Sequence, residues 1–180
     1  MSEPPKPLRV RPAARGVVTD RDRRVLLVHF EFPWDENLPG GLWACPGGGL
    51  DPGESEAEGL KRELEEELGL VVSDVGSPVW HKEHIFRFGD WDGQRDTYFW
   101  LEVDAFDPRP QFSEAELRAE NVDGMRWWTY DEVQAAQRLY DADEVGDPAY
   151  VVFSPRRLGH LLYDLLEQGH PAEPQQIDPL

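Results

Sequence analysis

The chain has 180 residues, of which 39% are hydrophobic and 11% aromatic, so it is long enough for one domain with a sizeable core. Its 36 acidic and 18 basic residues give a formal charge of -18, which disfavours nucleic acid and anionic membranes as partners. One cysteine excludes an internal disulfide, and no signal peptide or membrane span of roughly 18 apolar residues is present. We therefore expect a cytoplasmic protein.

Both ends of the chain are rich in proline and poor in apolar runs. Such ends are usually loose unless other structure ties them down. We expect a flexible N-terminal arm over 1–8, one continuous domain over 9–168, and a flexible C-terminal tail over 169–180.

The first predicted elements are two strands, over 9–18 and 24–30. A polar turn over 20–23 separates them, which favours a hairpin. A loop with two prolines and two glycines follows over 31–41, and a short apolar piece over 42–45 leads to three consecutive glycines.

The clearest helix is predicted over 55–68. This segment has no proline, a single glycine and many good helix formers. Ser55 or Glu54 marks its start, and Gly69 is a typical stop signal at its C-terminal end.

The second half predicts further strands over 79–88, 97–103 and 125–129. Between them lies an acidic loop over 107–121 with a short helix over 113–118, and a helix follows over 131–138. A last amphipathic helix is expected to be capped by Ser154 and to end at Gly169. Strands mixed with helices indicate a layered α/β or α+β domain.

Three glutamates of the predicted helix carry the chemical signal. At about 100° per residue, Glu66 lies about 60° from Glu63 on the helix surface, and Glu67 about 40° on the other side. Like charges at this spacing repel, whereas a divalent cation would reverse the effect, and Mg²⁺ prefers such oxygen ligands. Glutamate-rich helices are nevertheless common as solvated faces, so this cluster does not decide the function alone.

The spacing of the surrounding residues is more specific. The pattern G-x5-E-x7-R-E-U-x-E-E-x-G-U, where U is a bulky aliphatic residue, defines the Nudix box. The segment Gly48 to Leu70 fits all nine defined positions, namely Gly48, Glu54, Arg62, Glu63, Leu64, Glu66, Glu67, Gly69 and Leu70. The chain therefore resembles the Nudix hydrolase family, and the flanking strands resemble the rest of that domain.

The resemblance implies an α/β fold, a Nudix-type α/β/α sandwich with a mixed central β-sheet. It implies dependence on Mg²⁺ or Mn²⁺ and hydrolysis of a nucleoside diphosphate linked to another group. By this likeness Glu63 and Glu67 are the principal metal ligands. Glu66 is a further ligand or a water-positioning carboxylate, and the Gly47 carbonyl is an additional ligand.

The other box residues have supporting roles by the same likeness. Arg62 orients the glutamates through charge-assisted hydrogen bonds and belongs to the catalytic machinery in that sense. Glu54 is structural, and Gly48 and Gly69 shape the loop and the end of the helix.

The general base stays open between two carboxylates. Glu66 lies in the box, whereas Glu120 lies on the acidic loop before a late strand, where many Nudix enzymes carry their base. The alternative for Glu120 is that this loop is simply acidic surface.

Substrate contacts are expected from Trp34 and Phe86, by stacking, and from Arg15, by binding phosphate. The first expectation for the substrate is a nucleoside triphosphate, including an oxidised one. A nucleotide sugar, ADP-ribose or a dinucleotide is the alternative, and a Nudix-fold sensor that binds a nucleotide without cleaving it is another. Family members often form homodimers, although nothing in the sequence marks an interface.

Overall fold

The structure is a computed structural model that describes residues 6–179. Its strands are β1 (Val10–Asp20), β2 (Val25–Phe30), β3 (Leu42–Ala44), β4 (Gly47–Gly49), β5 (Pro78–His84), β6 (Gly93–Val103), β7 (Val122–Trp128), β8 (Phe153–Ser154) and β9 (Gln175–Ile177). Its helices are α1 (Glu56–Leu68), α2 (Glu114–Ala119), α3 (Tyr130–Asp141) and α4 (Leu158–Gln168).

The strands form one mixed sheet in the order β8-β3-β2-β1-β6-β5-β9, with β4 paired to β1 and β7 paired to β2. The central pair, β1 and β6, is parallel from Val10↔Gly93 to Asp20↔Val103. Strands β1 and β2 are antiparallel, as the predicted hairpin requires. The sheet therefore combines both strand directions, and the predicted mixed central sheet is confirmed.

Helices cover both faces of this sheet and create two cores. On one face α1 buries Leu60, Leu64 and Leu68 against the sheet. On the other face α3 and α4 bury side chains that include Val133 and Leu162. The predicted α/β/α sandwich is thus confirmed, and burial on both faces explains the imperfect apolar alternation of β6.

Helix α1 has the boundaries that its local sequence predicts. Ser55 and Glu58 form a reciprocal capping box, which satisfies free backbone N–H groups at the start. Gly69 ends the helix in the left-handed conformation, with φ of 68°, and its N–H donates to the Glu65 carbonyl. The predicted start and stop signals are both confirmed.

The strands of the second half differ from prediction at their ends. Strand β5 stops at His84, and β6 begins at Gly93, so residues 85–92 form the tip of a hairpin closed by a Phe88–Trp91 bridge. Strand β7 begins at Val122, whereas the strand was predicted to begin only at residue 125, after the acidic loop. Pairing with neighbouring strands, rather than local composition, decides these boundaries.

The predicted cap of the last helix is wrong. Ser154 belongs to β8, and its carbonyl accepts from the Cys45 N–H, so the residue is held in the sheet. Helix α4 begins only at Leu158, and the Arg157 at its N-cap makes no capping hydrogen bond through its side chain.

The predicted flexible tail is wrong for part of 169–180. Strand β9 pairs in parallel with β5, in the register Trp80↔Gln175 to Lys82↔Ile177, and Ile177 is only 9% exposed. The free edge of β5 and one apolar side chain thus tie down this segment. The predicted N-terminal arm falls partly on residues 1–5, which lie outside the described part. Within residues 6–179, none of the helices combines the length and apolar character needed to cross a bilayer.

Candidate active site

Arg62 is the centre of an ion-pair network on α1. Its guanidinium donates to both carboxylate oxygens of Glu54, at 2.9 Å each, and to the Gly49 carbonyl at 3.0 Å. Its Nη1 also donates to Glu63 at 2.9 Å and to Glu66 at 3.1 Å. This geometry supports the predicted orienting role of Arg62 and the structural role of Glu54.

Glu67 points away from this network, toward the glycine loop. The Gly47 N–H donates to its Oε2 at 2.8 Å. Burial raises the pKa of Glu67 to about 7 against the opposing effects of Gly47 and Arg15, and the charges of Glu63 and Glu66 add to the rise. Burial likewise raises the pKa of Glu63. For both carboxylates the effect of burial therefore outweighs the stabilisation of the charged form by nearby arginines, Arg15 for Glu67 and both Arg62 and Arg15 for Glu63.

The three glutamates are close along the helix but are not assembled into an ion site. Within residues 6–179, no three acidic, histidine or cysteine side chains converge as a metal-binding group. The reason is that Arg62 lies against Glu63 and Glu66. The predicted ligand Gly47 also has its carbonyl engaged, since it accepts from Arg15.

The donor set nevertheless fits a hard divalent cation. It consists of carboxylates within one turn of α1, and Mg²⁺ and Mn²⁺ prefer such oxygens. Burial is the main reason for the raised pKa of Glu67, and a cation there would offset the repulsion from Glu63 and Glu66 that adds to it. Arg62 contacts only Oε1 of Glu63 and Oε2 of Glu66, so the second oxygen of each carboxylate would be available to the ion.

Gly48 explains why the loop carries glycine beside this helix. A Cβ at Gly48 would lie 2.6 Å from Oε1 of Glu63, closer than real contacts allow. The Glu63 carboxylate thus occupies the space that a side chain at position 48 would need.

A cavity of about 420 Å³ lies on the side of β1 to which Arg15 points. Aromatic side chains of Phe30, Phe32 and Phe86 contribute to its lining. Arg15 connects it to the box, because this one guanidinium also donates to the Gly47 carbonyl. The predicted contacts Arg15 and Phe86 are therefore both placed at the cavity.

Buried charges form one side of this cavity. Asp96, 2% exposed, accepts from Arg15 at 3.2 Å and from Gln94 at 2.8 Å. Lys82, 8% exposed, lies 3.3 Å from Asp96 and donates to Ser154 Oγ at 3.2 Å. Burial alone would raise the pKa of Asp96, but Arg15 and Lys82 hold it below its ordinary value.

Two predicted residues lie elsewhere. Trp34 is 69% exposed and does not line the cavity, whereas Phe32, which meets Trp34 edge-on at 5.8 Å, does. Glu120 ends α2 with an exposed side chain, and none of the hydrogen bonds or ion pairs of residues 6–179 joins it to the box glutamates.

The sequence interpretation missed Lys82, Asp96 and Arg156, which all line the cavity. The usable signal was the opposite charge of Lys82 and Asp96, which are directly paired across β5 and β6. Cys45 is fully buried, and burial raises its pKa to about 12.

Comparison with known sequences gives a clear family match. The sequence model of the NUDIX domain matches residues 9–147. An RNA pyrophosphohydrolase of Aliivibrio fischeri (strain MJ11) is 29% identical over 113 residues, which cover 57% of this chain and 65% of that protein. The chain thus spans just under two thirds of the length of this relative.

Solved structures share the fold. The MutT protein from Methanosarcina mazei Go1 superposes with a TM-score of 0.59 at 16% identity, over 91% of this chain and 99% of that one. The NUDIX domain of Shewanella oneidensis NrtR, solved with ADP ribose, gives a TM-score of 0.53 at 18% identity, with 88% of each chain covered.

Proposed function

The chain belongs to the Nudix family, and we propose that it is a pyrophosphohydrolase that cleaves a phosphoanhydride bond of a nucleotide with Mg²⁺ or Mn²⁺. The observation that carries this proposal is the continuity between box and cavity. Glu67 accepts a hydrogen bond from the Gly47 N–H, and Arg15, which lines the cavity, donates one to the Gly47 carbonyl. A nucleotide in the cavity would thus extend toward the carboxylates of α1.

The bound cation would neutralise charge on the diphosphate and lower the pKa of an attacking water. Glu63, Glu66 and Glu67 supply the oxygens that would hold it. Arg62 keeps Glu63 and Glu66 on one side of the helix, and Glu54 fixes Arg62 by two hydrogen bonds. The Gly47 carbonyl accepts one hydrogen bond from Arg15, and its second lone pair would be available to the cation.

The general base is proposed to be Glu66 or Glu120. Glu66 is close to the proposed ligands but is bound to Arg62. Glu120 is free of such a bond in the described part but lies at the end of α2. A positioned carboxylate base contributes roughly 10²–10⁴-fold. Glu120→Gln therefore distinguishes them, because it should lower the rate by that factor if Glu120 is the base and leave the rate unchanged if Glu66 is the base.

The cavity volume of about 420 Å³ supports a nucleotide as substrate, since it falls in the range of small-ligand sites. A nucleoside triphosphate is the first proposal, and ADP-ribose, a nucleotide sugar or a dinucleotide is the second. The ADP ribose bound by the NrtR domain favours testing the second. A non-catalytic sensor is the third, but all box glutamates are retained here.

The test is a panel of these nucleotides, with a 5′-triphosphate oligonucleotide included, assayed for released phosphate or pyrophosphate with Mg²⁺ or Mn²⁺. Glu67→Gln should abolish turnover without loss of fold. Glu65→Gln is the matched control, because Glu65 lies on the exposed side of the same helix. Wild-type rates in Glu67→Gln, or no turnover of any substrate by the wild type, would refute the proposal.

We also propose a cytoplasmic protein without membrane or nucleic-acid partners, and a homodimer as its assembly. The charge of -18 supports the first part. Sedimentation of the purified chain tests the second.

A further inference from the structure

The cavity beside the box has a charge balance unlike that of the whole chain. The chain carries a formal charge of -18. The charged residues that line the cavity are the cations Arg15, Lys82 and Arg156 and the carboxylates Asp35 and Asp96. Positive side chains therefore outnumber negative ones in this one recess of an acidic protein.

Both carboxylates are already occupied. Asp96 accepts from Arg15, Gln94 and Lys82, so its oxygens are committed within the protein. Asp35 lies in the loop after β2, and its Oδ1 accepts from the backbone N–H and the side-chain amide of Asn37. Apart from Oδ2 of Asp35, the carboxylate oxygens of the recess are thus engaged, and its cations are the donors left for a ligand.

Arg156 is the cation without a counterpart. It lines the cavity and is half-buried, and within residues 6–179 its side chain makes neither an ion pair nor a hydrogen bond. A guanidinium has five N–H donors in a fixed planar arrangement, which suits phosphate oxygens. Burying such a group without a partner is unfavourable unless an anion binds it.

Lys82 is a second donor that lines the same cavity. Its ammonium has three donors, of which Asp96 and Ser154 engage two. Ser154 is two residues from Arg156 in the chain. His84 also lies there, and its pKa is lowered by partial burial and by the charges of Lys82 and Arg156.

We propose that Arg156 and Lys82 form a phosphate-binding subsite in this cavity, separate from the carboxylates of the box. The inference rests on the proposed function, and it names the substrate class. The substrate would carry a further phosphate group on the part of the nucleotide that is not cleaved, and this group would bind in the recess while the scissile anhydride lies at α1.

The probe is inorganic pyrophosphate, titrated calorimetrically into the full chain after metal removal with EDTA. Without a cation the box carboxylates repel pyrophosphate, so binding reports on the cavity. Arg156→Gln should weaken binding about tenfold to a hundredfold, the effect of losing a hydrogen bond to a charged group. Arg157→Gln is the matched control, because this neighbour is exposed and does not line the cavity, and its affinity should stay within about twofold.

Lys82→Met should weaken binding similarly, and if this variant fails to fold, Arg156→Gln alone decides. The subsite is overturned if the wild type binds no pyrophosphate up to millimolar concentration, or if Arg156→Gln binds it as the wild type does. With a substrate pair such as NAD⁺ and NADP⁺, Arg156→Gln should raise KM for the phosphorylated member more than for the unphosphorylated one. If nothing is hydrolysed but pyrophosphate binding still depends on Arg156, the proposed function fails and the subsite stands.

Discussion

Gly48→Ala tests the link between the glycine loop and the box helix. The added methyl would lie 2.6 Å from Oε1 and 2.7 Å from Cδ of Glu63, so the carboxylate must move. The displaced atoms belong to the end of a flexible side chain. We therefore expect unfolding free energy to fall by only about 1–2 kcal/mol, the cost of weakening the bond between Glu63 and Arg62.

The effect on activity should be much larger than the effect on stability. A displacement of about 1 Å in a catalytic constellation can cost about 10²-fold in rate. We expect kcat/KM of the cation-dependent reaction to fall by about this factor. Steady-state kinetics on the best substrate of the panel and urea unfolding of the same preparation measure the two effects.

Alanine substitutions at two other glycines serve as comparisons for Gly48→Ala. Gly146→Ala is the neutral control, since nothing lies within 4 Å of the added Cβ. Gly47→Ala is the opposite case, because its φ is +127° and its Cβ would meet the Ala14 carbonyl oxygen at 2.2 Å, so the backbone itself must shift. If Gly48→Ala keeps wild-type kcat/KM, the placement of Glu63 against Gly48 does not matter for the reaction and the reasoning is refuted.

Two further predictions concern stability. Asp96→Asn should lower unfolding free energy by about 3–5 kcal/mol at pH 7, because Arg15 and Lys82 lose their buried counter-charge. The pKa of Asp96 in the folded protein lies below its ordinary value of 3.8, so its contribution to stability is complete above the unfolded pKa and disappears as pH falls through the folded pKa. Urea unfolding of the wild type and Asp96→Asn should therefore show a smaller difference in unfolding free energy at pH 3 than at pH 7. An equal difference at both pH values would contradict this prediction. Ile177→Ala should lower the unfolding free energy by about 2 kcal/mol, because the buried Ile177 holds β9 against the sheet. Val71→Ala, at a 74% exposed site, should leave the unfolding free energy nearly unchanged.

The sequence predicted what local chemistry determines. Helix α1 is an example, since Ser55, Glu58 and Gly69 fix its ends through bonds within a few residues. The resemblance to the Nudix box likewise implied that Arg62 binds glutamates, and in the structure it contacts Glu63 and Glu66. It did not predict that Arg62 lies against these glutamates in place of a convergent ion site, because the partner of the carboxylates depends on whether a metal ion is bound.

The cavity could not be predicted in the same way, because segments far apart in the sequence build it. Lys82 comes from β5, Asp96 from β6 and Arg156 from the segment before α4. Their meeting depends on sheet register, and a shift of one residue would turn Lys82 to the opposite face. The same long-range pairing holds Ser154 in β8 and draws residues 175–177 onto the edge of β5.

Arg15 is the residue in which these two parts of the molecule meet. Arg15 was predicted to bind phosphate, but in the structure its guanidinium donates to Asp96 and to the Gly47 carbonyl. Its positive charge is therefore largely compensated inside the protein, and its hydrogen bonds fix the glycine loop relative to the cavity. Because Arg15 is committed in this way, a phosphate of the substrate needs another cation, and among the described residues of the cavity Arg156 is the one whose side chain has no partner.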